Sequence, residues 1–453
     1  MNLTANIPTQ PTEIAERLYL DFDSFFATAE QYFNPALRGR PVGVMPIDSP
    51  HSGCIAVSRE AKRMGVPAMA SVAVARQHAP DIILVIARPD AYVRLHNRIL
   101  EAIETCLPIA NVRSIDELVC HLLPSEAAQP EILGRRIKQA LADRFNPMLT
   151  CSIGIAKTEL LAKIAAEMNK PDGLAILSST DLPQRLAHLE LNDLPGISKG
   201  MGARLANAGV TNFEALWGIG PKHARAIWGN IEGERFWNGL HGHHFERPET
   251  IKRMFGHSRM LPVDWRSTDK VHACARQLAL SAARRLRRGD VRATKLTFGM
   301  RGGRSFSNSG KGKNQPRWGC EITFRPARDD RTFLHALSEG IARSTREARF
   351  SPRSVSVTLH GLEEAQAVQS DLFAVEIPQT DRFPCTATAK WERLSDTLDG
   401  LRSKHGPSAI SLGPKDDVPG GYLGAKIAFG RIPDAADFNE AQTEDSATHF
   451  CSV

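Results

Sequence analysis

The sequence predicts an α+β protein built of several domains, and three observations carry the prediction. At 453 residues the chain is longer than one hydrophobic core ordinarily organises. β-rich apolar runs over 18–23, 113–122 and 149–156 interleave with two long helical patterns, which describes a mostly antiparallel sheet backed by helices. After a short helical region, residues 250–362 repeat an α+β order of strand, helix, two strands, helix and strand.

Taken in order, residues 17–23 form a strand ending in Asp21-Phe22-Asp23, and Ser24 to Tyr32 a helix, with Phe25, Phe26, Ala29 and Phe33 at roughly helical spacing. Gly39–Val44 and Cys54–Ser58 read as strands, Arg59–Met64 as a short helix stopped by Gly65, and Ile82–Ala87 as another β run. Tyr92–Cys106 is an amphipathic helix through Leu95, Ile99, Ala102 and Ile103, and Glu131–Phe145 is a second. Val112–Ile115 reads as a strand running into Asp116-Glu117. Leu149–Ala156 is a strand, followed by a helix over Thr158–Met168 and a Pro171-Asp172-Gly173 turn.

Between Leu186 and Leu240, Leu194-Pro195-Gly196-Ile197 and Gly218-Ile219-Gly220-Pro221 each open onto a helix. Backbone N–H groups at such a turn suit a helix-hairpin-helix on a DNA phosphate, or a plain interhelical turn. The second α+β unit has helices over Val271–Arg288 and Thr332–Glu347 and strands over Thr294–Met300, Gly319–Phe324 and Ser354–Leu359. A loop rich in Gly, Lys and Arg, Arg301–Arg317, joins its middle strands. From Glu363 onward apolar side chains are thin among acids, which reads as a poorly packed tail.

Composition excludes several classes. No run of about 18 uncharged apolar residues exists, so no transmembrane helix is expected. The polar first sixteen residues lack the apolar core of a signal peptide. Eight cysteines without a CxxC pair fit reduced cytosolic thiols, not a disulfide framework or zinc site, and His241-Gly242-His243-His244 reads as loop histidines. The net charge of +7 is unevenly spread: 17 Lys/Arg against three acids from Lys252 to Trp318, and 15 acids against eight bases from Glu363 to the end. That asymmetry is expected of a nucleic-acid binder with an appended interaction segment.

The chemistry lies in Asp21-Phe22-Asp23 and Asp116-Glu117. Each pair taken alone also suits a turn or a helix cap. Acids are rarely buried without a partner, so carboxylates gathered at strand ends require a cation. Oxygen ligands with open coordination positions suit Mg²⁺, which keeps waters and takes its other ligands from substrate phosphates. Such a set is the raw material of a two-metal phosphoryl-transfer site.

Six segments, read in order, resemble the Y-family (translesion, DinB/UmuC-like) DNA polymerases over about 17–362. They are LYLDFDSFF at 18–26, AVSREAK at 56–62, Ser114-Ile115-Asp116-Glu117, SIGIA at 152–156 with Ala162-Lys163-Ile164-Ala165, Lys170-Pro171-Asp172-Gly173, and Leu194-Pro195-Gly196-Ile197. The resemblance implies a right-hand polymerase with an antiparallel-sheet palm (17–30 and 82–185), small fingers (31–81), a helix-hairpin-helix thumb (186–245) and an α+β little-finger domain (246–362). An N-terminal extension (1–16) and an acidic tail (363–453) flank it.

It also implies that Asp21 and Asp116 bridge two Mg²⁺ ions, that Glu117 completes the metal site at the primer 3′-hydroxyl, and that the Phe22 carbonyl ligates the nucleotide-side ion; Asp23 stays outside the ligand set. Phe25 and Phe26 meet the nucleotide, Phe26 at the sugar-discriminating position, while Lys163 reaches the triphosphate with Arg59 and Lys62 as further cations. Gly196, Ile197, Arg301, Arg304, Lys311 and Lys313 bind DNA. Gln369-Ser370-Asp371-Leu372-Phe373 resembles the peptide that docks bacterial polymerases on the sliding clamp, through Gln369, Leu372 and Phe373. The implied partners are primer-template DNA, deoxynucleoside triphosphates and the clamp, with the protein a monomer in the cytoplasm, at the nucleoid.

The chain departs from the family at Arg59 and Lys62, where Tyr and Arg are usual, at Leu118-Val119-Cys120-His121, and at Thr158-Glu159, where Asn-Lys is frequent. Loss of a bidentate guanidinium at Lys62 bears on nucleotide affinity more than on reaction type, and marks a divergent branch. The alternative is a catalytically weak or inactive polymerase-like adaptor that binds DNA and the clamp. A metal-dependent nuclease would explain the acids but not Phe26, Lys163 and the basic fourth domain together.

Overall fold

The computed structural model describes residues 15–46, 48–49, 52–245, 251–303, 316–364 and 385–405, with the single residues 410 and 432. They fall into two compact units that divide after residue 248.

The first unit begins with β1 (Arg17–Phe22), α1 (Phe25–Phe33), β2 (Val42–Met45), β3 (Ala56–Val57), α2 (Arg59–Arg63), α3 (Val72–His78), β4 (Ile83–Ile86) and α4 (Pro89–Glu104). It continues through β5 (Asn111–Val112), β6 (Glu117–His121), α5 (Pro124–Ala127), α6 (Pro130–Phe145), β7 (Cys151–Ala156), α7 (Glu159–Met168) and β8 (Leu174–Ile176). Four short helices close it: α8 (Lys199–Asn207), α9 (Phe213–Gly218), α10 (Pro221–Trp228) and α11 (Ile231–Leu240).

β1 is the middle of a five-stranded sheet ordered β5-β6-β1-β7-β8. Its pairings with β6 and β7 are antiparallel, and only β8 joins in parallel. β1 and β7 are buried on both faces, which is why both read as nearly continuous apolar runs. α7 lies directly on β7: a Cβ at Gly154 would stand 1.9 Å from the Ala162 carbonyl oxygen, so only glycine fits there. The Thr158 hydroxyl accepts the Leu161 N–H at the start of α7 and donates to the Gly239 carbonyl, fixing the helix to α11. Leu161, Ile164 and Ala165 then share one core with Tyr19 and Val119 of the sheet, Leu194 of the turn before α8, and Leu205 and Phe213 of the short helices.

A second, three-stranded sheet is ordered β3-β2-β4, and β4 runs parallel to β2, so Ile83–Ile86 joins this sheet and not the larger one. Several short elements escaped the sequence, among them α3, an alanine-and-valine helix capped by the Ser71 hydroxyl, and β8, only three residues long. The strand expected before the second acid pair is corrected. Val112–Ile115 is not a strand that ends at the acids; β5 stops at Val112, the chain turns, and the N–H groups of Arg113 and Ser114 donate to the Glu117 carbonyl. Glu117 therefore opens β6.

The second unit holds β9 (Met254–Met260), α12 (Thr268–Arg288), β10 (Val291–Gly302), β11 (Arg317–Ala327), α13 (Asp330–Glu347), β12 (Pro352–Glu364) and α14 (Cys385–His405). The strands form an antiparallel sheet ordered β11-β10-β12-β9. Leu278 and Leu286 of α12 and Phe333 and Leu337 of α13 pack with Phe298, Val357 and Leu359 of the strands.

α14 corrects the reading of everything beyond Glu363 as unpacked. Asp399 takes Arg287 at 2.7 Å, Glu392 takes Arg292 at 2.8 Å, and Asp396 takes Arg328 at 3.0 Å. The Ser395 hydroxyl accepts the Asp330 N–H, and the Arg331 guanidinium lies 4.4 Å from the Trp391 ring centre. Ion pairs rather than an apolar stripe hold this helix, so a search for apolar residues passes over it. Among the described residues no helix is long and apolar enough to cross a membrane.

Candidate active site

The β-sheet register brings the distant acids together. Asp21, near the end of β1, is the direct cross-strand partner of Glu117 at the start of β6. The Phe22 N–H donates to the Asp116 carbonyl at 2.8 Å, which seats the second acid beside the first. The Ser114 hydroxyl donates to Asp116 Oδ1 and lies 3.5 Å from Glu117 Oε2. A hydroxyl carries one proton, so it serves one carboxylate at a time. The Ser114–Ile115 turn is itself tied down by His96 Nδ1, 2.8 Å from the Ile115 carbonyl.

Two lysines face these acids. Lys163 of α7 lies 2.6 Å from Glu117 Oε1 and donates to the Tyr19 hydroxyl. Lys170, after α7, lies 2.9 Å from Asp21 Oδ2 and 2.7 Å from Glu167. Burial pushes the Asp21 carboxyl up to about 7 even with Lys170 beside it, and Glu167 and Asp116 add repulsion. Burial raises Asp116 as well; the Ser114 hydrogen bond opposes this and Glu117 reinforces it. Burial acts on Glu117 too, but the Lys163 hydrogen bond and charge outweigh it and leave its carboxyl below the usual range. Burial, more than mutual repulsion, thus opposes ionisation of Asp21 and Asp116, while Lys163 keeps Glu117 charged.

Among the described residues no three His, Cys, Asp or Glu side chains form a ready-made metal cage. Mg²⁺ seldom occupies such a cage; it is held by one or two carboxylates together with waters and substrate phosphates. An all-oxygen donor set of three converging carboxylates, two of them raised by burial, fits a hard divalent cation.

Asp23 turns to other work. Its carboxylate accepts from the Thr150 and Ser152 hydroxyls and from the Asp172 N–H, each at 2.8 Å. With two hydroxyls and one backbone N–H satisfied, it is committed to the strand and turn beside the cluster. Arg59, the first residue of α2, donates to the Thr150 hydroxyl. Burial, then the nearby Lys170 charge, lowers the Lys62 ammonium, so these two lysines share one neighbourhood beside Asp21 and Asp23.

Phe25 and Phe26 open α1 and are buried. The Phe26 ring stacks on Tyr92 with centroids 5.0 Å apart. Tyr92 in turn donates to Glu30, which also accepts two hydrogen bonds from Arg88. Ser24, before them, sits in left-handed backbone at φ 52° with its hydroxyl buried and unpaired, a strained link between the acids and α1.

Gly196 has φ +89°, the conformation that turns the chain into α8, with Ile197 buried beneath it. Arg301 is exposed at the end of β10, directly across from Arg317 of β11. Arg304, Lys311, Lys313, Gln369, Leu372 and Phe373 lie outside the described residues. The residue that sequence reasoning passed over is Lys170. It stands in the Lys170-Pro171-Asp172-Gly173 segment, where proline and glycine signal a turn and hide the cation.

Comparisons with known proteins fit this arrangement. Residues 20–167 match the model of the impB/mucB/samB family and residues 252–372 that of its C-terminal domain, together more than half of the chain. A DNA polymerase IV of Moorella thermoacetica is 28% identical over 402 residues, covering 87% of this chain and 94% of that protein. A DNA polymerase IV of Saccharolobus solfataricus is 28% identical over 258 residues, 56% of this chain and 72% of that protein. In fold, the chain is similar to a Y-family DNA polymerase chimera, Dbh-Dpo4(243-245)-Dbh, with a TM-score of 0.63 and 21% identity over 77% of this chain and 99% of that one. It is also similar to the insertion ternary complex of Dbh DNA polymerase, with a TM-score of 0.52 and 22% identity over 77% of this chain and 99% of that one. The chain belongs to the impB/mucB/samB family: it is a Y-family, DinB-like DNA polymerase.

Proposed function

We propose that this polymerase extends a primer 3′ end on damaged as well as intact templates, with two Mg²⁺ ions held by Asp21, Asp116, Glu117 and the Phe22 carbonyl. The observation that carries the reading is the cross-strand pairing of Asp21 with Glu117, flanked by Asp116. The chemistry that a pair of bound ions supplies is activation of the 3′-hydroxyl and neutralisation of the leaving pyrophosphate.

The chain's own residues do the rest. Lys170 and Lys62 crowd one side of Asp21 at a mutual electrostatic cost, which an incoming polyphosphate relieves. We therefore assign the triphosphate first to Lys170, with Lys62 and Arg59 beside it. Lys163 is assigned instead to Glu117, whose charge it balances and whose carboxylate it orients. Phe26, held flat on Tyr92, bars a ribose 2′-hydroxyl.

Arg301 and Arg317 face one another, an unfavourable pairing that a DNA phosphate turns to advantage. The turn at Gly196 and Ile197 and the basic residues Arg304, Lys311 and Lys313 are assigned to DNA as well. Gln369, Leu372 and Phe373 dock the protein, acting as a monomer at the nucleoid, on the sliding clamp.

Primer extension with Mg²⁺ tests the core of this reading. Extension by the wild type and loss in Asp116→Ala and Glu117→Ala is the expected result. DNA binding without extension by the wild type would make the chain an adaptor, and shortening of the primer would make it a nuclease.

A further inference from the structure

We propose that Asp23 is a positioning residue for the incoming nucleotide: it holds the turn that carries Lys170 and so aims that ammonium at the triphosphate. The inference rests on the assignment of Lys170 made above. The second acid of the Asp-x-Asp segment makes its hydrogen bonds to Thr150 and Ser152 and to the Asp172 turn. Its Oδ2 accepts the Asp172 N–H and the Thr150 hydroxyl, and its Oδ1 accepts the Ser152 hydroxyl, which itself lies 3.4 Å from the Gly173 N–H. Asp23 is 4% exposed, so these bonds are made away from water and losing one leaves a buried donor unsatisfied.

The turn needs such support. Asp172 has φ 59°, a left-handed conformation that costs energy for any residue but glycine and persists only where its surroundings impose it. Asp23 grips the turn by its N–H from one side. From the other, Lys138 of α6 donates to the Asp172 carbonyl at 2.7 Å, to its carboxylate at 2.6 Å and to the Cys151 carbonyl at 2.8 Å. Lys170 stands two residues before this clamped position and reaches Asp21 at 2.9 Å. A hydroxyl can rotate to accept as well as donate, but a backbone N–H cannot. Replacing Asp23 by alanine therefore leaves the fixed Asp172 N–H without its acceptor and frees the turn.

The test is single-nucleotide insertion kinetics on the full chain, combined as a double-mutant cycle with Lys170→Ala. Asp23→Ala is expected to raise KM for the nucleotide about tenfold while kcat changes by less than about twofold and primer-template affinity stays the same. In the double variant KM should rise no further than in Lys170→Ala alone. If Lys170→Ala leaves KM unchanged, the assignment of Lys170 fails and this inference fails with it. If Lys170→Ala raises KM but Asp23→Ala does not, or the two effects multiply independently, only the role of Asp23 is overturned. Should Asp23→Ala melt below the assay temperature, Lys138→Met frees the same turn from its other side, and the same cycle decides.

Discussion

Asp21 of β1 and Glu117 of β6 face each other as direct cross-strand partners, although the small three-stranded sheet and the four helices α1 to α4 lie between them in the chain. Like charges placed this way destabilise a sheet. The protein keeps a local cost at this position, offset in part by Lys170 and Lys163.

That cost has a pH signature in metal-free solution. Asp21 titrates at about 7 in the folded chain against 3.8 when unperturbed, so between those values the folded state holds the proton more tightly than the unfolded one. Its contribution to stability is full at low pH and is lost as pH rises through about 7. In EDTA, Asp21→Asn should therefore melt higher than the wild type at pH 8, by an amount on the order of 4 kcal/mol, and the difference should shrink towards pH 5. A gap that widens on acidification would contradict the burial of this carboxyl.

The same substitution should abolish activity. Loss of Asp21, Asp116 or Glu117 is expected to slow primer extension by roughly 10³-fold or more, because each removes charge stabilisation worth several kcal/mol at the reacting phosphate. Stopped-flow nucleotide insertion measures this directly.

Sugar selectivity should follow the ring at position 26. Phe26→Ala is expected to raise ribonucleotide incorporation relative to deoxynucleotide by roughly 10²-fold. Competition between the two nucleotides on one template reads the ratio, and an unchanged ratio would remove Phe26 from the role.

Duplex binding should depend steeply on salt. Arg301→Ala or Arg317→Ala should each lower the slope of log affinity against log salt by about one, uniformly across sequences. Fluorescence anisotropy over a salt series suffices, and a sequence-dependent loss would indicate base reading instead.

The ion pairs under α14 predict a large stability effect in the second unit. Arg287 is 6% exposed and Asp330 1%, so Asp330→Ala leaves a guanidinium short of a buried partner. A loss of about 3–5 kcal/mol is expected, whereas breaking the exposed Lys295–Glu321 pair should leave the melting point nearly unchanged. Thermal melting of the two variants compares them.

The long amphipathic segments were legible in the sequence because periodicity survives there: α4, α6, α12 and α13 lie within a few residues of the expected spans. The candidate acids were legible because they interrupt or follow apolar runs. What periodicity does not encode is which way a short polar side chain turns. Asp21 and Asp23 are two apart and share a strand-end pattern, yet one joins the acid cluster and the other is consumed by Thr150, Ser152 and Asp172. Lys163 sits on a helix and attracts attention, while Lys170 sits in a turn and does not. α14 was missed for a related reason, since its docking uses charges that a composition count assigns to solvent.

Gly154 bears on the chemistry although it has no side chain to contribute. Because α7 rests on its Cα, the height of that helix above the sheet is set by a missing methyl group. Gly154→Ala would lift α7 and carry Lys163 away from the carboxylate it neutralises. Catalytic geometry here is thus vulnerable from underneath, at a residue that no inspection of the cleft would single out.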